Sequence, residues 1–448
     1  MRIRGPILSA LLSIAFASSH PQQAQPPIPP PDARFKADVL VIVAHPDDDT
    51  GVSTFLAKAV LDQGKHAAVI FTNRGSSGPD AVSLARGKAL ADIREIEARK
   101  SLAARGITNV WFLDGRDTAT QDVLHSLETM GHGQALDDMV RLIRLTRPDV
   151  IVTWLPAYVA GENHGDHQAS AVVAVEAFDM AGNPADFPEQ LTPPRDPHGI
   201  SQYGEGLLPW QPKKLYFFSD ASHQDFLKGH GPAYLASEIS PSRKVPYSEI
   251  NRLGWEQDAT QIDFSQQVLN YFLDMPEYLI LGKSLVPASV NGDVFAGITD
   301  QPIPYHPNPP YTEPRRAGIS LALGGPWAFY REFYRAHSLT SLEKLVPPQS
   351  ALSSDRRLWV PLLLRNDTAA DADITLHPAL PPGWTGNIQD LLYHLKPGET
   401  YPIQLFYEAP GENYKAPPQT LTWTALDHGS VAGKVTLSVY LEFDGVPQ

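Results

Sequence analysis

The segment from Asp38 to Ala44 limits the folds open to this chain more than any other. It reads Asp-Val-Leu-Val-Ile-Val-Ala, a continuous run of aliphatic and mostly β-branched residues. Such a run is typical of a strand that is buried on both faces, as in the centre of a parallel sheet. We therefore expect an α/β protein whose sheet is covered by helices on both sides.

Strand and helix patterns alternate after this segment. Further buried strands are predicted at 67–72, 109–113 and 150–154, and helices at 51–63, 81–104 and 134–146. This alternation predicts a Rossmann-like, doubly wound, mostly parallel sheet with right-handed crossovers. One more strand is predicted at 214–218, after a proline- and glycine-rich stretch without clear periodicity.

The periodicity changes after Pro347. Apolar residues alternate with polar ones at 435–443, and similar short runs occur at 358–364, 372–376 and 401–407. Because period-two alternation indicates strands with one buried face, residues 348–448 are expected to form an antiparallel β-sandwich. Residues 37–347 are assigned to the preceding domain, with a core at 38–220 and an extension at 221–347.

The N-terminus has the pattern of an export signal. Two arginines, an apolar stretch from Ile7 to Ala17 and then small residues make up residues 1–19. The apolar stretch is shorter than the about 20 residues of a membrane-spanning helix. Residues 20–36, rich in Pro and Gln, are expected to be an extended linker. We therefore predict an exported protein, periplasmic or extracellular, without a transmembrane span.

Composition excludes some partners and some ligands. The formal net charge of −14 would repel phosphate backbones, so nucleic acid is not expected as a partner. The chain has no cysteine, so any metal must be bound by His, Asp or Glu.

The first cluster of candidate site residues follows the first strand directly. Residues 44–49 read Ala-His-Pro-Asp-Asp-Asp. Ligands of open α/β sheets gather at the carboxyl ends of the strands, which is where this cluster lies. His45 and Asp48 are three residues apart across a tight turn and can face one cation. Taken alone, the cluster could equally be a polar turn in which an Asp caps the next helix.

A second cluster follows the fourth strand. Residues 163–167 read Asn-His-Gly-Asp-His and begin a helix predicted to run to about Ala181. The spacing of three puts His164 and His167 on one face of its first turn. Since both clusters lie at the same edge of the sheet, His45, Asp48 and His167 can supply three metal ligands. A site with three protein ligands and one open position is typical of catalytic zinc.

These motifs resemble those of a known family. Together with Arg-Glu-Ile-Glu at 94–97 and Phe-Leu-Asp-Gly-Arg-Asp at 112–117, they are similar to the PIG-L/LmbE-like family of zinc-dependent N-acetylglucosaminyl deacetylases. The resemblance runs from about Val39 to Ala181, with weaker similarity at 187–189 and 210–216, and leaves out the C-terminal domain. It implies a hydrolase that uses Zn²⁺, or alternatively Fe²⁺, to remove the acetyl group from an N-acetylated amino sugar or glycan.

The resemblance also implies roles for individual residues. It implies that His45, Asp48 and His167 are the metal ligands and that Asp47 is the general base. It further implies that His164 stabilises the tetrahedral intermediate and that Arg94 and Asp117 bind substrate. The chain departs from the family pattern in three places. Asp49 stands where Glu is usual, Gly165 where Pro is common, and Glu162 where some members have a tyrosine near the oxyanion.

Other interpretations stay open on sequence alone. Arg94 could form a helix-surface ion pair with Glu97, and Asp117 could be an ordinary turn residue. Two alternative functions are a secreted carbohydrate-binding protein of the same fold without catalysis and a non-haem iron enzyme with a facial triad. The presence of Asp47 beside the ligands argues against the binding protein, since a binder needs no base there. An alternating β/α pattern argues against the iron enzyme, because such triads usually lie in β-barrels.

Overall fold

A computed structural model of the chain describes residues 32–160, 164–192, 206–221, 224–261, 275–312, 317–352, 356–411 and 417–441. The predicted signal segment 1–19, most of the predicted linker and Glu162 lie outside the described residues. Within these ranges, no helix is both long and apolar enough to cross a membrane.

The first domain is built on a six-stranded sheet. Its strands are β1 (Val39–Val43), β2 (Ala67–Phe71), β3 (Asn109–Phe112), β4 (Val150–Trp154), β5 (Lys214–Phe218) and β8 (Ile280–Ser284). Two short strands, β6 (Ala233–Tyr234) and β7 (Glu277–Tyr278), pair with each other in a separate antiparallel sheet. The strand order is β3-β2-β1-β4-β5-β8, and only β8 runs antiparallel to its neighbour. This order confirms the predicted doubly wound α/β fold.

Helices cover both faces of this sheet. They are α1 (Ser53–Ala57), α2 (Lys88–Ala104), α3 (Val123–Met130), α4 (His132–Thr146), α5 (Gly165–Met180) and α6 (Tyr247–Trp255). All five residues of β1 are buried, with Leu40 and Ile42 in the core on one side and the three valines in the core on the other. This arrangement is the reason why the strand is apolar without alternation.

Two helices differ from the sequence-based prediction. Helix α2 begins at Lys88 rather than at residue 81, after Gly87 with φ 57°. The preceding residues are mostly exposed, Leu84 by 92%, so they had no apolar face to bury against the sheet. Helix α3 was not predicted; its N-cap Asp122 accepts a hydrogen bond from the Leu124 amide, and the helix is only eight residues long.

The C-terminal region is a sandwich of two sheets around one core. Its strands are β9 (Ile319–Leu323), β10 (Gln349–Ala351), β11 (Arg357–Asn366), β12 (Ala372–Ala379), β13 (Thr385–Gly386), β14 (Leu391–Leu395), β15 (Thr400–Glu408), β16 (Gln419–Asp427) and β17 (Ser430–Tyr440). The sheets have the orders β10-β17-β16-β12-β14 and β13-β15-β11-β9. All pairs are antiparallel except β10 with β17.

The start of the sandwich differs from the boundary predicted at 347–348. Strand β9 comes before that boundary, yet it pairs with β11 and belongs to the sandwich core. Helix α7 (Gly325–Ala336), which follows β9 directly, packs its Tyr330, Phe333 and Tyr334 into a core of the first domain. A short helix, α8 (Leu342–Leu345), leads from there to β10. Segment 319–351 therefore joins the two cores.

Candidate metal centre

Two neighbouring strands bring the two motifs together. Strands β1 and β4 are paired in parallel, so their carboxyl ends lie at the same edge of the sheet. The first motif turns sharply after β1: the Asp48 amide donates to the carbonyl of His45 at 3.1 Å, and a 3-10 helix covers Asp48–Val52. The second motif opens α5, so His164 and His167 lie on its first turn.

One oxygen of Asp48 is fully engaged with the protein. Asp48 Oδ2 accepts hydrogen bonds from the amides of Ala44 (2.8 Å) and His45 (2.9 Å) and from Trp154 Nε1 (2.8 Å). Burial alone would raise the pKa of Asp48, but the rings of His167 and His45 hold it well below its ordinary value. The carboxylate is thus ionised and fixed, with Oδ1 left to face the two histidines.

Three donor atoms then converge. His167 Nε2 lies 3.1 Å from His45 Nδ1 and 3.2 Å from Asp48 Oδ1, and Asp48 Oδ1 lies 3.4 Å from His45 Nδ1. In a tetrahedral zinc site with bonds of about 2.0–2.1 Å, the ligand atoms are about 3.3–3.4 Å apart. The triangle therefore fits one face of a zinc tetrahedron. Its fourth vertex is not supplied by these residues.

The other nitrogen of His45 faces two carboxylates. His45 Nε2 is buried without a hydrogen bond, 3.5 Å from Asp117 Oδ1 and 3.6 Å from Asp166 Oδ2. Burial would lower the pKa of His45, but Asp48, Asp117 and Asp166 raise it well above its ordinary value. A metal-binding histidine usually directs its second N–H at a carboxylate, which fixes the tautomer that leaves the first nitrogen for the metal. His45 has these surroundings.

Asp166 is a site residue that the sequence analysis missed. It accepts hydrogen bonds from Ser126 Oγ (2.5 Å), Thr118 Oγ1 (2.8 Å) and the Thr118 amide (2.9 Å). Burial opposes ionisation, but His45 and Ser126 keep its pKa below the ordinary value. Its place between the two histidines of the second motif was the available signal.

Gly165 has a steric reason for being glycine. A Cβ at this position would lie 2.6 Å from Ser126 Oγ and 2.9 Å from the Thr120 carbonyl oxygen. The Gly165 amide itself donates to that carbonyl at 2.8 Å. The loop before α3 therefore approaches the start of α5 too closely for any side chain.

His164 is held as a neutral ring. Its Nδ1 accepts a hydrogen bond from the Asp166 amide at 3.2 Å, so the neutral form carries its proton on Nε2. The ring lies edge-on to His45, with centroids 4.5 Å apart. Burial, together with His45 and His167, lowers the pKa of His164 to about 3. In this state His164 can donate its Nε2–H but carries no positive charge.

Asp47 differs from its neighbour Asp48. Its carboxylate is partly exposed and has no hydrogen-bond partner among the described residues. Burial, followed by the charge of Asp48, raises the pKa of Asp47 to about 6, although His45, Arg94 and His167 act in the opposite direction. The site thus contains one acid fixed as an anion and one near its titration point.

Arg94 and Asp117 contact the loop between β2 and α2. Arg94 is only 5% exposed and donates to the carbonyls of Gly75 (2.6 Å) and Pro79 (2.7 Å). The helix-surface ion pair with Glu97 is therefore wrong for this residue. Asp117 accepts from the Ser77 amide at 2.6 Å, and His45 and Ser77 keep its pKa low against the effect of burial. The structure gives both residues positioning contacts, and their contact with substrate stays a prediction.

Two further residues near the site, Asp49 and Trp154, have structural contacts. Asp49, the shorter acid of the first motif, accepts from Arg105 Nη1 at 2.6 Å, and both side chains are fully buried. Trp154 is 1% exposed and stacks on His167 with ring centroids 4.1 Å apart. Trp154 is thus a core residue that supports the ring of His167, one of the proposed ligands.

The similarity of this chain to known proteins includes the segment that carries both motifs. The family model PIG-L, described as GlcNAc-PI de-N-acetylase, matches residues 40–178, from β1 to α5. A 1D-myo-inositol 2-acetamido-2-deoxy-alpha-D-glucopyranoside deacetylase 1 from Catenulispora acidiphila is 31% identical in an alignment of 309 positions that covers 61% of this chain and 94% of that protein. A deacetylase named for the same compound, from Thermobifida fusca, is 27% identical over 193 residues, 40% of this chain and 60% of that protein.

Solved structures with similarity to this chain include two from thermophiles. A conserved protein from Thermus thermophilus has 16% identity and a TM-score of 0.39, over 57% of this chain and 100% of that chain. N,N'-diacetylchitobiose deacetylase from Pyrococcus horikoshii has 19% identity and a TM-score of 0.36, over 55% of this chain and 84% of that chain. Since a relative 31% identical is covered over 94% of its length and the family model spans both motifs, the chain belongs to the PIG-L family.

Proposed function

We propose that this protein is a metal-dependent hydrolase that removes the acetyl group from an N-acetylated amino sugar of the N-acetylglucosamine type. The observation that carries the proposal is the triangle of His45 Nδ1, Asp48 Oδ1 and His167 Nε2, with sides of 3.1, 3.2 and 3.4 Å. Nitrogen and carboxylate donors in this arrangement favour zinc, with iron(II) as the alternative. Two relatives named as deacetylases of a 2-acetamido-2-deoxy-glucopyranoside support the same reaction.

His45, Asp48 and His167 would hold the ion and leave one position for water or substrate. A zinc ion held there would lower the pKa of water towards ~7 and would polarise the amide carbonyl, which is otherwise a poor electrophile. The fixed orientation of Asp48 and the carboxylates behind His45 mean that the donors need little rearrangement on binding.

Asp47 is the proposed proton acceptor. When water attacks the amide carbon, one proton must leave the water, and when the C–N bond breaks, one proton must reach the amine nitrogen. Asp47 suits both steps because it lies next to a ligand without being engaged by other described residues, and its pKa is raised to about 6. The products are acetate and the free amino sugar.

His164 is the proposed donor to the developing oxyanion. Its Nδ1 is occupied by the Asp166 amide, so Nε2–H is the group available, and its ring is in contact with the rings of both histidine ligands. A positioned N–H that meets negative charge in the transition state stabilises that state more than the ground state. Neutral His164 supplies this without bringing a second positive charge to the metal.

We further propose that the reaction takes place outside the cytoplasm. The basis is the signal-like pattern of residues 1–19. An exported enzyme would act on an extracellular glycan or glycoconjugate rather than on a cytosolic sugar. Arg94 and Asp117 would hold the loop that contains Gly75 and Ser77 in place for substrate binding.

The test is acetate release from a panel of N-acetylglucosamine glycosides and diacetylchitobiose, with an N-acetyl amino acid as the control. We expect acetate from at least one sugar, none after chelation, and recovery when zinc is added back. Binding of a sugar without acetate release would favour the carbohydrate-binding alternative. Release that persists in chelator would contradict the metal-dependent mechanism.

A further inference from the structure

The second metal motif is contacted from outside the family segment. Residues 156–160 lead from β4 to this motif, and Gln168 follows His167. Four hydrogen bonds reach these positions from α7 and β10, which lie beyond residue 178, the end of the family match. Both elements are attached to the sandwich, α7 through β9 and β10 through its pairing with β17.

Helix α7 contributes two tyrosines one turn apart. Tyr330 Oη donates to Gln168 Oε1 at 2.6 Å, and both side chains are buried. Gln168 Nε2 in turn donates to the carbonyl of Gln121 (3.2 Å) and, at 3.4 Å, to that of His164. Tyr334 Oη donates to the Pro156 carbonyl at 2.7 Å. The tyrosine hydroxyls therefore fix both the approach to the motif and its first helical turn.

Strand β10 binds Tyr158 and Ala160, which lie between β4 and the second motif. Gln349 is 6% exposed, and its Oε1 accepts a hydrogen bond from the Ala160 amide at 3.1 Å, four residues before His164. The Ala351 amide donates to Tyr158 Oη at 2.9 Å. Because β10 is part of a sheet, these partners have fixed positions.

Hydrogen bonds add direction to a packed contact. Tyr330 and Tyr334 lie in the buried core of the first domain together with Ala157, and a cavity of about 350 Å³ beside them is also lined by Tyr158 and Gln349. Because the packing of apolar surfaces is non-directional, the polar contacts from α7 and β10 are the ones that orient residues 156–160.

We infer that Tyr330 and Gln349 are positioning residues for the metal centre, so that the sandwich domain is part of the unit that binds the metal. The inference rests on the proposed metal site. Removal of the residues after about 347, which include Gln349, is therefore expected to affect the site. Tyr330 acts through Gln168, and Gln349 acts through the backbone of Ala160.

The test uses the full chain with Tyr330→Phe and Gln349→Met, which remove one hydrogen-bonding group each at nearly constant volume. Matched controls are Tyr247→Phe, which loses a bond to Asp62, and Gln419→Met, which loses one from Trp384. Zinc affinity is measured by competition with a chelator, the Co²⁺ visible spectrum reports ligand geometry, and thermal midpoints are recorded for all variants.

We expect each positioning variant to weaken zinc binding by about tenfold, as for groups that orient metal ligands, and to change the Co²⁺ spectrum. The controls should lower the thermal midpoint without either effect. If Tyr330→Phe and Gln349→Met lower the midpoint like the controls while zinc affinity and spectrum are unchanged, the inference is overturned and the contacts are merely structural. If the wild-type chain binds no zinc, the proposed metal centre fails and this inference fails with it.

Discussion

Asp47 and Asp48 are adjacent acids with different surroundings, so substitution should separate their roles. Asp48 Oδ2 accepts three hydrogen bonds and its Oδ1 faces two histidines, whereas Asp47 is bound by no described residue. Asp47→Asn should keep the metal and lose on the order of 10² to 10⁴ in turnover, since only the proton acceptor is removed. Asp48→Asn should instead lose metal affinity. Metal content and acetate release, measured on both, check this; metal loss in Asp47→Asn with retention in Asp48→Asn would reverse the assignment.

At the scale of residues, the two motifs predicted which side chains converge because their spacing is local. His45 with Asp48 and His164 with His167 are each three residues apart on one turn. The contacts of Arg94 were not predictable, because its partners lie in a loop and at Thr260, which no periodicity connects to it.

At the scale of elements, the start of α5 is the sensitive point. Gly165→Ala should push the loop before α3 away or tilt the first turn of α5, since its Cβ would lie 2.6 Å from Ser126 Oγ and 2.9 Å from the Thr120 carbonyl oxygen. We expect weaker zinc binding and a lower thermal midpoint. Gly133→Ala in α4 is the matched control, because nothing lies within 4 Å of the added Cβ. A thermal midpoint and zinc affinity equal to those of the control would contradict the steric explanation.

Glu277 in the short strand β7 offers a test by pH. Glu277 accepts from the amides of Thr54 (2.6 Å) and Phe55 (2.9 Å) at the start of α1, and burial raises its pKa from 4.5 to about 7 despite these bonds. A raised carboxyl pKa means that the folded state binds the proton more tightly, so stability contributed by this group falls as pH rises from 4.5 to about 7. Glu277→Gln should remove this loss.

Urea unfolding of the wild type and Glu277→Gln at several pH values checks the prediction. Between about pH 5 and pH 8, the unfolding free energy of the wild type should fall relative to that of the variant. Titration of the metal-site residues changes both proteins equally and therefore drops out of this difference. Parallel curves would show that Glu277 keeps an ordinary pKa.

The parallel strands were predictable because both of their faces are buried, which leaves a continuous apolar run in the sequence. The start of α2 and the sandwich membership of β9 were not. Leu84 reads as part of a helix but is 92% exposed, and β9 pairs with β11 across a gap that contains all of α7. Such errors arise where tertiary pairing rather than local pattern decides.

At the scale of the whole molecule, the two cores are joined through segment 319–351. Helix α7 buries three aromatic side chains in the first domain, and β9 immediately before it belongs to the sandwich. We therefore expect one calorimetric unfolding transition, raised by zinc as a ligand of the folded state. Two transitions, of which chelation moves only one, would mean that the domains unfold independently.

The most direct test of the central claim is a zinc titration of the metal-free full-length protein while acetate release from an N-acetylglucosamine glycoside is followed. The proposed ligands His45, Asp48 and His167 lie close enough together to hold one ion, so the rate should rise in proportion to zinc and level off near about one ion per chain. His167→Ala should show no such rise at the same zinc concentrations. A wild-type rate that is independent of zinc, or that His167→Ala reproduces, would contradict the account.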